Sequence, residues 1–191
     1  MSTENPEVGE VSADGQFRWD GQDWAPLARG HREPTPWTQP LQRATAAFLT
    51  VSLLWALLGT ALFVNPASIG RSLRASNPNL TPDQVQAAQS VGYATGWVTV
   101  LVLAVVYVVL IVGSLRRWRW AFWVNIVALA FGAIGVLTNS FALASPATQT
   151  QPPAAIAVGL LLSVVSAALL VWLIVAAARF GPWAMRRPGA G

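Results

Sequence analysis

The sequence has no cysteine, no lysine and a single histidine, and it is poor in charge. Without cysteine there is no disulfide, no thiol nucleophile, no thiolate metal ligand and no palmitoylation site. The same absence leaves the redox compartment open. One histidine, His31, cannot supply a site with two or three imidazole ligands, so the usual zinc centres are excluded within one chain. The second residue is serine, so the glycine that myristoylation needs is missing. Neither G-x-S-x-G nor a Walker sequence occurs. His31 with Asp14, Asp20 or Asp23 is the nearest approach to a catalytic set, and it is a weak one. The expectation is a chain that is not an enzyme, with no cofactor and no metal.

Charged residues make up 10% of 191 positions and hydrophobic ones 54%. Soluble domains are roughly 25% charged, so this composition belongs to the membrane class. Residues 1–41 hold seven of the eight acids and three arginines, a local net of −4; residues 42–191 hold nine arginines and one acid, a net of +8. The basic excess therefore belongs to the apolar part. No arginine cluster is interleaved with base-reading residues, and nucleic acid is not an expected partner. Arginine without lysine points to GC-rich coding, and so to a high-GC bacterium.

Four runs are long and apolar enough to span a bilayer, which takes ~20 residues each: 44–64, 91–113, 120–143 and 154–178. None contains Asp, Glu, Arg, Lys or His. The first is preceded by a net acidic stretch, unlike a signal peptide. The fold class expected is an all-α integral membrane protein: a four-helix transmembrane bundle carrying a small N-terminal cytoplasmic β-hairpin or meander. Its parts are a disordered tail (1–10), the β unit (11–27), a proline-rich linker (28–43), the membrane domain (44–179) and a C-terminal tail (180–191).

Arginine counts set the orientation. Arg29, Arg32, Arg43, Arg116, Arg117, Arg119, Arg179, Arg186 and Arg187 flank one side, Arg71 and Arg74 the other. The positive-inside rule then places both termini in the cytoplasm, in a bacterial plasma membrane. Trp118, Trp120, Trp123 and Trp183 read as anchors at the inner interface and Trp97 as one near the outer interface. Trp55 and Trp172 lie deeper.

The "SLRRWRW" connection is tight and makes helices two and three an antiparallel hairpin. "ASPATQTQPP" reads as a plain turn. The loop 65–90 is longer. In it Thr81 is a good N-cap, Pro82 suits the first helical position and Gln84 completes a capping box. Helix two therefore starts at Pro82 and projects beyond the bilayer, chiefly as a solvated extension.

Small residues recur four apart: Gly92 and Gly96, Ala128 and Gly132, Gly159 and Ser163. Such steps let backbones approach in lipid. Asn125 and Asn139 are amides in hydrocarbon and need partners. Packing within one bundle is the leading reading, and a homo-oligomer stays open. Away from the span ends the only ionisable residue is Tyr107, a poor proton carrier near neutral pH, which argues against a proton-coupled transporter.

The tail holds "GQFRWDGQDWAPL". Asp20-Gly21 is a two-residue turn signal. Folding about it sets Trp19 opposite Gln22, Arg18 opposite Asp23 and Phe17 opposite Trp24. Phe17, Trp19 and Trp24 then share one face. Asp14-Gly15 is a second turn that brings Val11–Ala13 alongside. "ADGQFRWDGQDWAPL" resembles a short tryptophan-rich bacterial domain of unknown function, found at the cytoplasmic ends of membrane proteins from high-GC Gram-positive bacteria. Asp14, Gly15, Trp19, Asp20, Gly21 and Trp24 carry the likeness, over about 15 of 191 residues. The proline-glycine-tryptophan-tyrosine lead-in often seen there is replaced by "NPEVGEVS". The resemblance implies a membrane-associated context and no known activity.

The tail is expected to dock Phe17, Trp19 and Trp24 on the inner leaflet, on the bundle or on a partner protein. Mutual packing of the tryptophans is the plainer alternative. Two function classes follow. One is a non-catalytic adaptor or accessory subunit whose tail recognises a cytosolic or membrane protein. The other is a small channel or transporter subunit whose pore forms between protomers.

Overall fold

The computed structural model describes residues 6–27, 32–144 and 151–187. Arg29, His31 and the turn residues 145–150 lie outside the described residues, as do the first five and last four positions. Among the described residues, four helices are long and apolar enough to cross a membrane. They are α1 (Thr38–Phe63), α3 (Pro82–Leu115), α4 (Arg119–Ala144) and α5 (Pro153–Phe180). A shorter helix, α2 (Pro66–Ser76), joins α1 to α3. Two small antiparallel sheets accompany them: β1 (Phe17–Trp19) with β2 (Trp24–Pro26), and β3 (Glu33–Pro34) with β4 (Met185–Arg186).

Helix α3 begins where its local chemistry dictates. Thr81 accepts from Gln84 N–H, and the Gln84 side chain accepts from Thr81 N–H at 3.0 Å. Its 34 residues extend about 51 Å at ~1.5 Å per residue, well beyond a hydrocarbon core of ~30 Å. Its first turns are not simply solvated, because α2 packs on them. Ile69 lies against Gly92, where a Cβ would sit 3.4 Å from its Cγ2. The Gln89 side chain covers Gly70. The loop expected at 65–90 is therefore largely helical, and its start has the same logic as α3. Asn65 accepts from Ser68 N–H at 2.9 Å, Ser68 Oγ accepts from Asn65 N–H at 3.2 Å, and Pro66 occupies the first helical position.

Helix α1 starts six residues earlier than its apolar run, inside the stretch expected to be a spacer. Pro40 falls in the first turn, where a missing N–H costs nothing. Thr38 Oγ1 accepts from Thr35 N–H at 2.9 Å just outside the helix.

The α4 and α5 helices pack closely, as do α1 and α3. At the α4–α5 seam Gly132 faces Ser166 and Gly135 faces Ser163. Ser166 Oγ donates across the seam to Leu129 O at 3.0 Å. The α3–α4 turn is tight. A Cβ on Gly113 would lie 2.7 Å from Ala121 Cβ, and Arg117 takes φ +60° to reverse the chain. Outward faces are apolar, as lipid requires; Leu54, Leu62, Phe131 and Phe141 are all exposed.

The largest core sits at the arginine end, where Arg43, Arg116, Arg117, Arg119 and Arg179 gather. It joins Leu41, Phe122, Leu129, Leu169, Leu173 and Trp183. Trp183 is fully buried there rather than anchored at an interface. Its ring meets Phe122 edge-on at 5.2 Å, and its indole N–H donates to Trp118 O at 2.9 Å. A buried indole needs such a partner, and the α3–α4 turn supplies it.

Candidate functional site

The tail folds as a hairpin, in a register that differs from the one its turn signal suggests. Trp19 pairs with Trp24, Arg18 with Ala25 and Phe17 with Pro26. The loop therefore has four residues, Asp20 to Asp23. The Asp20 carboxylate explains this. Its Oδ1 accepts from Gln22 N–H at 2.8 Å and Asp23 N–H at 2.7 Å, and Asp20 N–H donates to Asp23 O at 3.1 Å. A two-residue type I′ turn needs positive φ at both central positions. Here Gly21 alone takes it, at +105°.

Shifting by two keeps side-chain parity. Phe17, Trp19 and Trp24 still share a face, but Trp24 lies opposite Trp19 and not Phe17. The two indoles tilt together at 5.5 Å between centroids. Both tryptophans are half-buried, and Phe17 is 37% exposed at the edge of the pair. The expected third strand is reduced to a single bridge, Val11 to Arg18. Residues 7–10, expected to be disordered, instead close the unit: Gly9 N–H donates to Trp19 O and Trp19 N–H to Glu10 O, both at 2.8 Å.

Two carboxylates stabilise these turns, and both are held below the ordinary aspartate value. The Ser12 hydroxyl is the larger cause at Asp14, followed by the Gln16 N–H. At Asp20 the cause is the N–H groups of Asp23 and then Gln22. Each hydrogen bond favours the ionised form.

Arg18 was expected to meet Asp23. It pairs instead with Glu33 on β3. That contact joins the tail unit to a second structure the sequence did not announce. The β3 strand, inside the supposed linker, pairs with β4 from the supposed C-terminal tail. Ala184 O gathers the Thr35 hydroxyl at 2.8 Å and the Thr38 hydroxyl at 2.9 Å. Arg32 Nη1 donates to Met185 O at 3.1 Å. Trp183 and Ala184 take φ +59° and +52°, a left-handed pair that burial of the indole keeps in place. Nearby, Trp37 meets Phe180 edge-on at 5.7 Å, and the Arg179 guanidinium lies 5.8 Å from the Trp37 ring centre.

The packing residues separate into three places. Gly92 and Gly96 lie on α3 beneath Ile69 and Val64. Gly132, Asn139, Gly159 and Ser163 meet at the α4–α5 seam. There Asn139 Nδ2 donates to Gly135 O at 2.8 Å and lies 3.4 Å from Ser163 Oγ, while its Oδ1 covers Gly159. Asn125, fully buried, joins α4 to α3 by donating to Ser114 Oγ at 2.9 Å; its Oδ1 has no partner among the described residues. Among the described residues no group of three His, Cys, Asp or Glu side chains could hold a metal.

No family model, no curated protein and no solved structure matches the chain.

Proposed function

We propose that this protein is a non-catalytic adaptor or accessory subunit of a bacterial plasma membrane, with its arginine end and both termini in the cytoplasm. The tail's aromatic face is its recognition element. One observation carries the reading: the Trp19–Trp24 pair is mounted, not loose. The hairpin is joined through Arg18 to Glu33, and the β3–β4 clasp joins Glu33 to the bundle. A held aromatic surface loses less freedom on binding than a mobile one. The orientation rests on arginine bias.

The pore reading is weaker. It needs Asn125 or Asn139 to face an axis between protomers, and both amides make their bonds inside one chain.

A photo-crosslinking residue at Phe17, in native membranes, tests the proposal. A discrete adduct is expected, and it should disappear in a Trp19→Ala, Trp24→Ala double variant. Labelling that is diffuse in both chains rules the recognition role out. Reporter fusions at the C-terminus and within α2 should lie on opposite sides of the membrane, the first in the cytoplasm.

A further inference from the structure

At the arginine end α1 joins the α4–α5 core through Leu41 and Phe48. At the opposite end α1 and α5 part around a cavity of about 210 Å³. Trp55, Gly59, Thr60 and Phe63 line it from α1, Ala155 from the first turn of α5, and Gln151 from the residues just before that helix. By volume it holds roughly seven water molecules at ~30 Å³ each, or a short length of one hydrocarbon chain.

Two features make this more than loose packing. Thr60 is 8% exposed, and its hydroxyl has no partner among the described residues. Thr45 and Thr50, on the same helix, donate to the carbonyl four residues back at 2.8 and 2.9 Å. Second, a Cβ on Gly59 would meet nothing within 4 Å, so the glycine floor is open, not crowded.

The walls ask for different things. Trp55 and Phe63 favour hydrocarbon, while the Thr60 hydroxyl, open to the cavity, offers a donor. Water matches only the hydroxyl. Depth decides the occupant. Thr60 lies three residues from the last residue of α1, about 4.5 Å at ~1.5 Å per residue. The apolar part of α1, from Ala44 to Phe63, is about 30 Å long at ~1.5 Å per residue, which matches a hydrocarbon core of ~30 Å. Its last turn therefore sits at the edge of the hydrocarbon, where lipid ester oxygens meet the start of the chains.

We propose that this cavity binds one acyl chain of a membrane phospholipid. The chain lies over Gly59 between Trp55 and Phe63, and an ester oxygen accepts a hydrogen bond from Thr60 Oγ1. The site is independent of the tail's role.

Native mass spectrometry of the full chain in detergent, titrated with phosphatidylcholine, tests it. Wild type should retain one lipid. Gly59→Leu fills the cavity and should weaken retention at least tenfold while unfolding at no lower temperature. Thr60→Val keeps shape and removes the donor; it should weaken retention about two- to tenfold, the worth of one net hydrogen bond. Glycerophosphocholine has the headgroup and no chain, and should not compete. Unchanged retention in Thr60→Val, unchanged retention in a folded Gly59→Leu, or competition by glycerophosphocholine would each overturn the assignment. If Gly59→Leu fails to fold, Thr60→Val and the competitor decide it.

Discussion

The indole of Trp183 donates to the carbonyl of Trp118, 65 positions earlier in the chain, at 2.9 Å. This bond fixes the C-terminal segment to the α3–α4 turn, and the clasp is built on that fixed point. Trp183→Ala should therefore cost roughly 3–5 kcal/mol, as large buried aromatics do. It also frees a left-handed pair that is unfavourable by roughly 1–2 kcal/mol per residue. Thermal unfolding in detergent should show the loss, and amide exchange at Thr35 should accelerate with it. Trp183→Phe should lose mainly the hydrogen bond, about 1 kcal/mol. Wild-type exchange at Thr35 in Trp183→Ala would mean the clasp stands without its anchor.

The observed register makes a separate prediction. NMR of the full chain in micelles should show ring-to-ring contacts between Trp19 and Trp24, and backbone contacts between Arg18 and Ala25. The two-residue turn would instead place Arg18 beside Asp23. Gly21→Val should loosen the hairpin by about 1–2 kcal/mol, because φ is +105° there. A Cβ would in addition press on Val8 Cγ2 at 3.2 Å.

Acid should loosen the same unit. Asp14 and Asp20 are held below their ordinary value of 3.8 in the folded tail. A depressed carboxyl contributes stability that is present above the unfolded value and lost as pH falls through the folded one. Trp19 and Trp24 contacts should thus persist at neutral pH and fade below about pH 3.8. Asp20→Asn should flatten the part of that profile that belongs to the loop. A tail whose signals are unchanged from neutral pH to pH 2 would contradict it.

The α4–α5 seam tolerates little bulk. Gly132→Val should destabilise the bundle by roughly 1–3 kcal/mol, because Ser166 already fills the facing space. Gly59→Ala, facing open space, should change little. Comparing unfolding of the two variants in one detergent separates close packing from a general intolerance of glycine replacement.

Helix α2 depends on a cap. Asn65→Ala should cost about 0.5–2 kcal/mol of local stability. Hydrogen exchange at Ile69 and Leu73 should rise, while the body of α3 stays protected.

What the sequence disclosed follows how local each cause is. The spans needed only composition, and the start of α3 needed only Thr81, Pro82 and Gln84. Asn65, Pro66 and Ser68 carry the same kind of signal for α2. It was obscured because Arg71 and Arg74 break the apolar run and serine replaces the glutamine. The hairpin face was readable because parity survives a shift of two. Its register was not, since it turns on which N–H groups one carboxylate captures. Burial of Trp183 was out of reach, because Phe122 and Trp118 become neighbours only after the whole bundle closes. The β3–β4 pairing has the same origin: two-residue strands have no periodicity to read.

The clasp also has a timetable. Thr35 is made early, and its partner Ala184 lies 149 positions later. At synthesis rates of ~5–20 residues per second, roughly 8–30 s separate them. During that interval the tail unit hangs without its mounting, and a chain that stops short never acquires it. Attachment of the N-terminal hairpin thus waits on residues made 149 positions later, and reports at one end of the chain that Ala184 has been reached and placed.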